Sequence, residues 1–198
     1  MLIQINAIIE GSVELKDEDF EGVESIFTDA ESNTKKEHYP AVKVNDYWLK
    51  TLQNDMIANS ELRQCDEPIL KLLKRVEAVK AEDDTKLSVT FHFAPNDYFS
   101  NEKITKHFDI DGDEIKKSYG DKIEWKEGKN VTVKLIKKKN KNKKTGEKVT
   151  KTKEVKEESF FNFFNDIEIN EDEEEEDEEE NQDVELLEQQ YELAQHIY

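Results

Sequence analysis

Cysteine is all but missing from this chain of 198 residues: Cys65 is the only one. That excludes an internal disulfide and any thiolate zinc cage. Its neighbours Asp66 and Glu67 give the thiol no reason to ionise early, so a nucleophilic role is not expected. Glycine and proline are scarce, at six and three, and no glycine-rich phosphate loop occurs. The four histidines, His38, His92, His107 and His196, are scattered without the spacing of a metal site or a triad. No apolar run approaches the ~20 residues that a bilayer span needs. The start, Met1-Leu2-Ile3-Gln4-Ile5, lacks the basic n-region and long apolar run of a signal peptide. These absences predict a soluble, intracellular protein that is not an enzyme, with no catalytic residues, no metal and no cofactor.

What the chain has is charge. Forty-eight acidic residues face 29 basic ones, for a net charge of -19 at pH 7. Direct binding to nucleic acid is disfavoured by that sign, and basic proteins or multivalent cations are favoured. With 39% of residues charged and 35% hydrophobic, the composition fits one domain with a modest core and solvated appendages. The ten Phe, six Tyr and two Trp fall mostly between Tyr39 and Phe164, which places that core. Within Ser159-Phe160-Phe161-Asn162-Phe163-Phe164, four phenylalanines in five positions form a packing device. An unbroken acidic run, Glu171 to Glu180, follows at once. The phenylalanines are expected to anchor the run to a folded body as an oriented anionic arm, suited to a strongly cationic partner.

Along the chain, Leu2, Ile5, Ile8 and Ile9 recur at helical spacing, with Gly11 where a C-cap would stand. So short a helix is either docked or the end of something longer. From Ser12 to His38 the sequence is acidic and weakly periodic, a linker by default. Val44, Tyr47, Trp48, Thr51 and Leu52 form a helical stripe. After Asp66-Glu67-Pro68, a sound helix start, a second helix is expected with Ile69, Leu72, Leu73 and Val76 on one face. Leu87, Val89, Phe91 and Phe93 then alternate with Ser88, Thr90 and His92, a half-buried strand. Asn101 to His107 reads as a short helix or the start of the next strand. Ile123-Glu124-Trp125 reads as a brief strand, and Val131, Val133 and Leu135 as a longer one. That strand enters a lysine-rich tip, turns at Thr145-Gly146 and returns through Val149 to Val155 as a long hairpin. Val184, Leu187, Tyr191, Ala194 and Ile197 make a last helical stripe.

Six segments, in order, resemble the nucleosome assembly protein (NAP/SET) family of histone chaperones. They are Asp46-Tyr47-Trp48-Leu49, Asp66-Glu67-Pro68-Ile69-Leu70-Lys71, Phe91 to Phe99, Glu124 to Thr132, the Lys137–Lys144 tip, and Ser159 to Phe164. The basic hairpin is more similar to the nucleosome assembly protein branch than to the SET branch. The resemblance implies an α+β fold, a NAP-like earmuff domain in which helices back an antiparallel sheet. In the family a very long dimerisation helix precedes that domain, and residues 1–11 resemble only a remnant of it. Residues Gln189 to Tyr198 likewise resemble only the start of the closing helices, so a fragment truncated at both ends is expected. The implied organisation is 1–11 remnant helix, 12–38 acidic linker and 39–198 histone-binding domain. That domain carries a basic hairpin at 134–155 and an acidic segment at 166–183. The family is homodimeric, but four apolar residues are too few to pair two chains, so this chain is expected to be a monomer.

The acidic run reads either as a solvated tail or, with the resemblance, as a histone-binding element. In the second reading Asp166, Glu168, Glu171, Asp172, Glu173, Glu174, Glu175, Glu176, Asp177, Glu178, Glu179 and Glu180 mimic DNA phosphate towards histone Lys and Arg. Lys137, Lys138, Lys139, Lys141, Lys143 and Lys144 read either as lysines that keep a sheet edge soluble or as a nuclear-import signal. The resemblance favours import, and with it an importin-type receptor and shuttling between nucleus and cytoplasm. Asp109 to Glu114 falls short of a calcium loop, with glycine at position four rather than six; a turn is expected. Asn130-Val131-Thr132 fits a glycosylation sequon but lies in a predicted strand. The leading expectation is a chaperone that binds core histones and promotes nucleosome assembly and histone transport. The rival is a SET-like acidic regulator that inhibits an enzyme such as a phosphatase; an ion-binding acidic protein rests on composition alone.

Overall fold

A computed structural model describes residues 7–13, 43–112, 114–141, 148–169 and 178–197, with backbone alone for 137–141, 148–152 and 178–181. The chain divides into two compact units, Met1–Tyr47 and Trp48–Tyr198. In the first, residues 7–9 are helical. Gly11 ends the helix at φ +67°, with its N–H donating to the Ile8 carbonyl at 3.0 Å and that of Ser12 to Ala7 at 2.9 Å. This is the closing motif that a left-handed glycine permits, as its position in the sequence predicts. The Val44 N–H donates to the Ile9 carbonyl at 2.9 Å. The predicted linker, from residue 14 to residue 38, lies outside the described residues.

Three short helices come first among the elements from Tyr47 onward: α1 (Tyr47–Asn54), α2 (Met56–Glu61) and α3 (Glu67–Leu70). Helix α1 buries Leu49 and Leu52, whereas Val44, expected on the same stripe, precedes the helix and is exposed. Trp48 Nε1 donates to the Lys74 carbonyl at 2.8 Å. Asp55 caps α2 by accepting from the N–H groups of Ile57 and Ala58 at 3.0 and 2.8 Å. Those bonds, the Ala58 one foremost, and His196 beside it hold its carboxyl below the usual range.

The second predicted helix is cut short, for α3 ends at Leu70 and the strand β1 (Leu73–Lys80) begins three residues later. Val76 and Ala78 turn inward, while Arg75 and Glu77 pair at 3.2 Å and His92 meets Glu77 at 2.8 Å on the opposite face. Long-range ladder bonds to the next strand, β2 (Lys86–Phe93), thus override a local pattern that also fits a helix. β2 (Lys86–Phe93) buries Leu87, Val89, Phe91 and Phe93 in strict alternation. Of the stretch from Asn101 to His107, left open between helix and strand, residues 103–107 are strand: β3 is Lys103–Asp111. With β4 (Glu114–Gly120) and β7 (Ile167–Glu168) these form one antiparallel sheet in the order β1-β2-β3-β4-β7. The β3–β4 turn carries Gly112 at φ +62°, a turn as expected.

Residues 123–125 make only an isolated bridge, Phe99 to Trp125, rather than a strand. The strand β5 (Val133–Lys141) starts later than predicted, because Asn130 Oδ1 accepts from both Thr132 N and Oγ1 at 2.9 and 2.7 Å and folds the sequon into a turn. β5 and β6 (Lys148–Lys156) pair as a separate two-stranded sheet; the tip with Thr145-Gly146 lies outside the described residues. A 3₁₀ turn at Phe160–Phe164 and the helix α4 (Glu178–Ile197) complete the unit. One core cluster joins Leu49, Phe91, Phe108 and Phe160 to Leu187, Leu193 and Ala194 of α4. Tyr191 of the predicted stripe meets Phe108 edge-on at 5.5 Å.

Candidate functional site

Ser159 opens the phenylalanine turn as its cap, accepting from the Phe161 N–H at 3.1 Å. Its hydroxyl donates to Asp66 Oδ1 at 2.6 Å, and the Phe160 N–H donates to Asp66 Oδ2 at 2.8 Å. The Arg63 N–H adds a third bond at 2.9 Å. Asp66, which the sequence suggested as a helix start, makes no side-chain cap to α3. It is wholly buried and accepts from the turn instead. A buried carboxylate is tolerable when donors surround it in this way.

All four phenylalanines are buried, as the sequence predicts. Their rings pack edge to face: Phe91 with Phe164 at 5.3 Å, Phe163 with Phe164 at 5.3 Å, Trp125 with Phe161 at 5.4 Å. A Cβ on Gly120 would lie 2.2 Å from the Phe164 carbonyl oxygen, so only glycine lets the turn press against β4. Lys106 of β3 is fully buried between the Phe108 and Phe163 rings, 5.7 and 5.8 Å from Nζ. It donates to the Asn165 carbonyl at 2.5 Å. Burial pushes its pKa down to about 8, opposed by the charge of Asp166.

The acidic segment leaves from this anchor. Asp166 is exposed, and its Oδ1 accepts from the Gly120 N–H at 2.9 Å. Glu168 is exposed on β7 at the edge of the sheet, opposite Lys117. Glu171, Asp172, Glu173, Glu174, Glu175, Glu176 and Asp177 lie outside the described residues. Glu178, Glu179 and Glu180 form the first turn of α4, so the last part of the run is helical rather than arm. The run therefore connects two elements of the same unit, β7 and α4, and is held at both ends. From Asp166 to Asp183 it carries 13 carboxylates and no lysine or arginine.

Of the lysine cluster, Lys137, Lys138, Lys139 and Lys141 sit on β5, with Lys138 opposite Lys151 and Lys141 opposite Lys148. Lys143 and Lys144 lie outside the described residues. Leu135, Ile136 and Val155 of the same hairpin are exposed. Cys65 has its thiol pKa raised by desolvation and by the Asp66 charge, and burial lowers that of His107. No cluster of three His, Cys, Asp or Glu suited to a metal occurs among the described residues. Sequence reasoning missed Lys106, Gly120 and Gln190, the last 6% exposed on α4. A polar residue on an apolar stripe is the one signal that could have flagged Lys106 and Gln190.

A family model described as Nucleosome assembly protein (NAP) matches residues 1–198. Nucleosome assembly protein 1-like 1 of Rattus norvegicus is 39% identical over 117 residues, 52% of this chain and 30% of that protein. Human nucleosome assembly protein 1-like 2 is 37% identical over 129 residues, 58% of this chain and 28% of that protein. The matched stretches thus span under a third of those curated relatives. Among solved structures, Nucleosome Assembly Protein 1 from Plasmodium knowlesi superimposes with a TM-score of 0.58 at 26% identity, covering 78% of this chain and 62% of that one. A malaria-parasite nucleosome assembly protein, at 23% identity, TM-score 0.56 and 78% and 60% coverage, shares the fold.

Proposed function

This chain belongs to the nucleosome assembly protein family, and from that premise we propose that it is a histone chaperone whose acidic segment binds core histones. The observation that carries the reading is the doubly held run: 13 carboxylates between Asp166 and Asp183, fixed at β7 on one side and α4 on the other. Both ends of the run thus stand on ordered elements of one unit, and its carboxylates form one dense block in the sequence. They take the place of DNA phosphate, occupy histone Lys and Arg, and block premature contact with DNA. Each exposed ion pair contributes only about 0–1 kcal/mol, so affinity comes from many pairs acting together and falls as salt rises. In this reading residues 39–198 form the histone-binding domain and 12–38 an acidic linker. The activity is stoichiometric and needs no cofactor.

The lysine-rich hairpin is, in the same reading, the signal by which an importin-type receptor carries the protein into the nucleus, so that it shuttles and transports histones. Purified core histones mixed with DNA provide the test. The chain is expected to bind the histones and suppress their aggregation with DNA, most strongly at low salt. Phosphatase inhibition by a chain that leaves histones unbound would favour a SET-like regulator instead.

A further inference from the structure

Between the phenylalanine turn and α4 lies a cleft of about 190 Å³. Phe163, Leu186 and Leu193 supply apolar lining, and among the described residues Glu61, Asp166 and Asp183 supply three carboxylates against one cation, Lys156. Gln190 also lines it. That residue is 6% exposed, and its Oε1 is buried with no hydrogen-bond partner among the described residues. A desolvated acceptor without a donor is costly, and a ligand that donates to it recovers the loss.

The lining selects the ligand. Apolar contacts suit an aliphatic stem, the carboxylates suit a positive charge, and the buried Oε1 suits a donor at the end of the stem. A lysine side chain combines all three. Its compact ammonium with rotatable donors fits one acceptor amid dispersed carboxylates, whereas a guanidinium fork favours a planar, two-oxygen partner. Asp166 and Asp183 also bound the acidic segment in sequence, so a basic chain held by that segment lies near the cleft.

We propose that this cleft receives a lysine side chain of a basic partner polypeptide, with the stem against Phe163, Leu186 and Leu193 and the ammonium donating to Gln190 Oε1. This rests on the reading of the chain as a binder of basic proteins, and it adds a specific subsite to diffuse attraction. Acetylation of the bound lysine removes the charge and releases it.

The test titrates the full chain with a ten-residue oligolysine, its fully Nε-acetylated counterpart and purified core histones, by fluorescence anisotropy at near-physiological salt. Gln190→Leu removes the acceptor and keeps the bulk; Asp183→Asn changes an exposed carboxylate without touching the core. Gln190→Leu is expected to weaken oligolysine binding about tenfold, the size of one buried hydrogen bond, and Asp183→Asn about threefold. In the wild type, the Gln190 side-chain amide resonances should move with oligolysine and stay still with the acetylated peptide. That readout separates the cleft from binding by the acidic run and holds even if Gln190→Leu fails to fold. An unmoved Gln190 amide at saturation, or equal binding of the acetylated peptide, overturns the subsite and leaves the chaperone reading standing. Core histones that do not bind the wild type overturn both.

Discussion

Ser159 Oγ donates to Asp66 Oδ1 at 2.6 Å, joining residues 93 positions apart in the chain. Through the same carboxylate, which also accepts from Phe160 N and Arg63 N, the start of the phenylalanine turn is fixed. The place where the acidic segment leaves the sheet follows from it. Asp66→Ala leaves these buried donors unmet, at ~1–3 kcal/mol each. Its unfolding free energy in urea should fall by about 3 kcal/mol or more, and Asp66→Asn, which keeps an acceptor, should lose less. A loss for Asp66→Ala below about 1 kcal/mol would show that the clamp is dispensable.

The contact of Gly120 with the Phe164 carbonyl gives a sharper steric test. Gly120→Ala places a methyl 2.2 Å from that oxygen, and since both atoms belong to or adjoin backbone, neither yields easily. A loss of about 1–3 kcal/mol is expected, the range for overpacking. Phe163→Ala should lose ~3–5 kcal/mol by emptying the core. Wild-type melting of both variants would mean that the turn does not pack against β4.

Lys106 predicts a pH effect of definite sign. Its folded pKa is depressed to about 8, below the ~10.4 of an unfolded lysine. Between those values the unfolded chain binds one more proton than the folded one, so stability rises with pH across that window. Below about pH 8 the burial penalty is fully present. Relative to Lys106→Met, the wild type should therefore gain stability between pH 8 and pH 10, read from paired urea titrations. A constant difference between the two proteins would show that Lys106 stays charged.

Changing Lys137, Lys138, Lys139, Lys141, Lys143 and Lys144 to neutral residues should abolish importin binding and active nuclear entry while histone binding survives. Nuclear accumulation of the neutral variant above size-matched inert controls would remove the import role.

Much of the fold was legible because its signals are local. The alternation from Leu87 to Phe93 marks a half-buried strand, Gly11 marks a helix end, and the four phenylalanines mark a core segment. The failures share one cause. Residues Leu73 to Val76 carry a pattern that suits helix or strand, and pairing with β2 decides it. Asp66 reads locally as a cap, yet its partners lie far along the chain. Lys106 and Gln190 are polar residues on apolar stripes, a local signal that does not name the distant side chains that bury them. The acidic run looked like an arm because its attachment to α4 is visible only once that helix packs its Leu187 and Leu193 into the core.

The central claim is that this doubly held acidic segment binds histones. Its most direct measurement is core-histone affinity as a function of salt for the wild type and for a variant in which Glu171 to Glu180 carry Gln or Asn in place of Glu or Asp. The wild type should bind more tightly at 0.15 M salt, with an affinity that drops steeply by 1 M, where the screening length shrinks from ~8 Å to ~3 Å. The neutral variant should bind weakly with a shallow salt dependence while its unfolding free energy stays close to that of the wild type. Equal affinities and equal salt slopes for two stably folded proteins would contradict the claim.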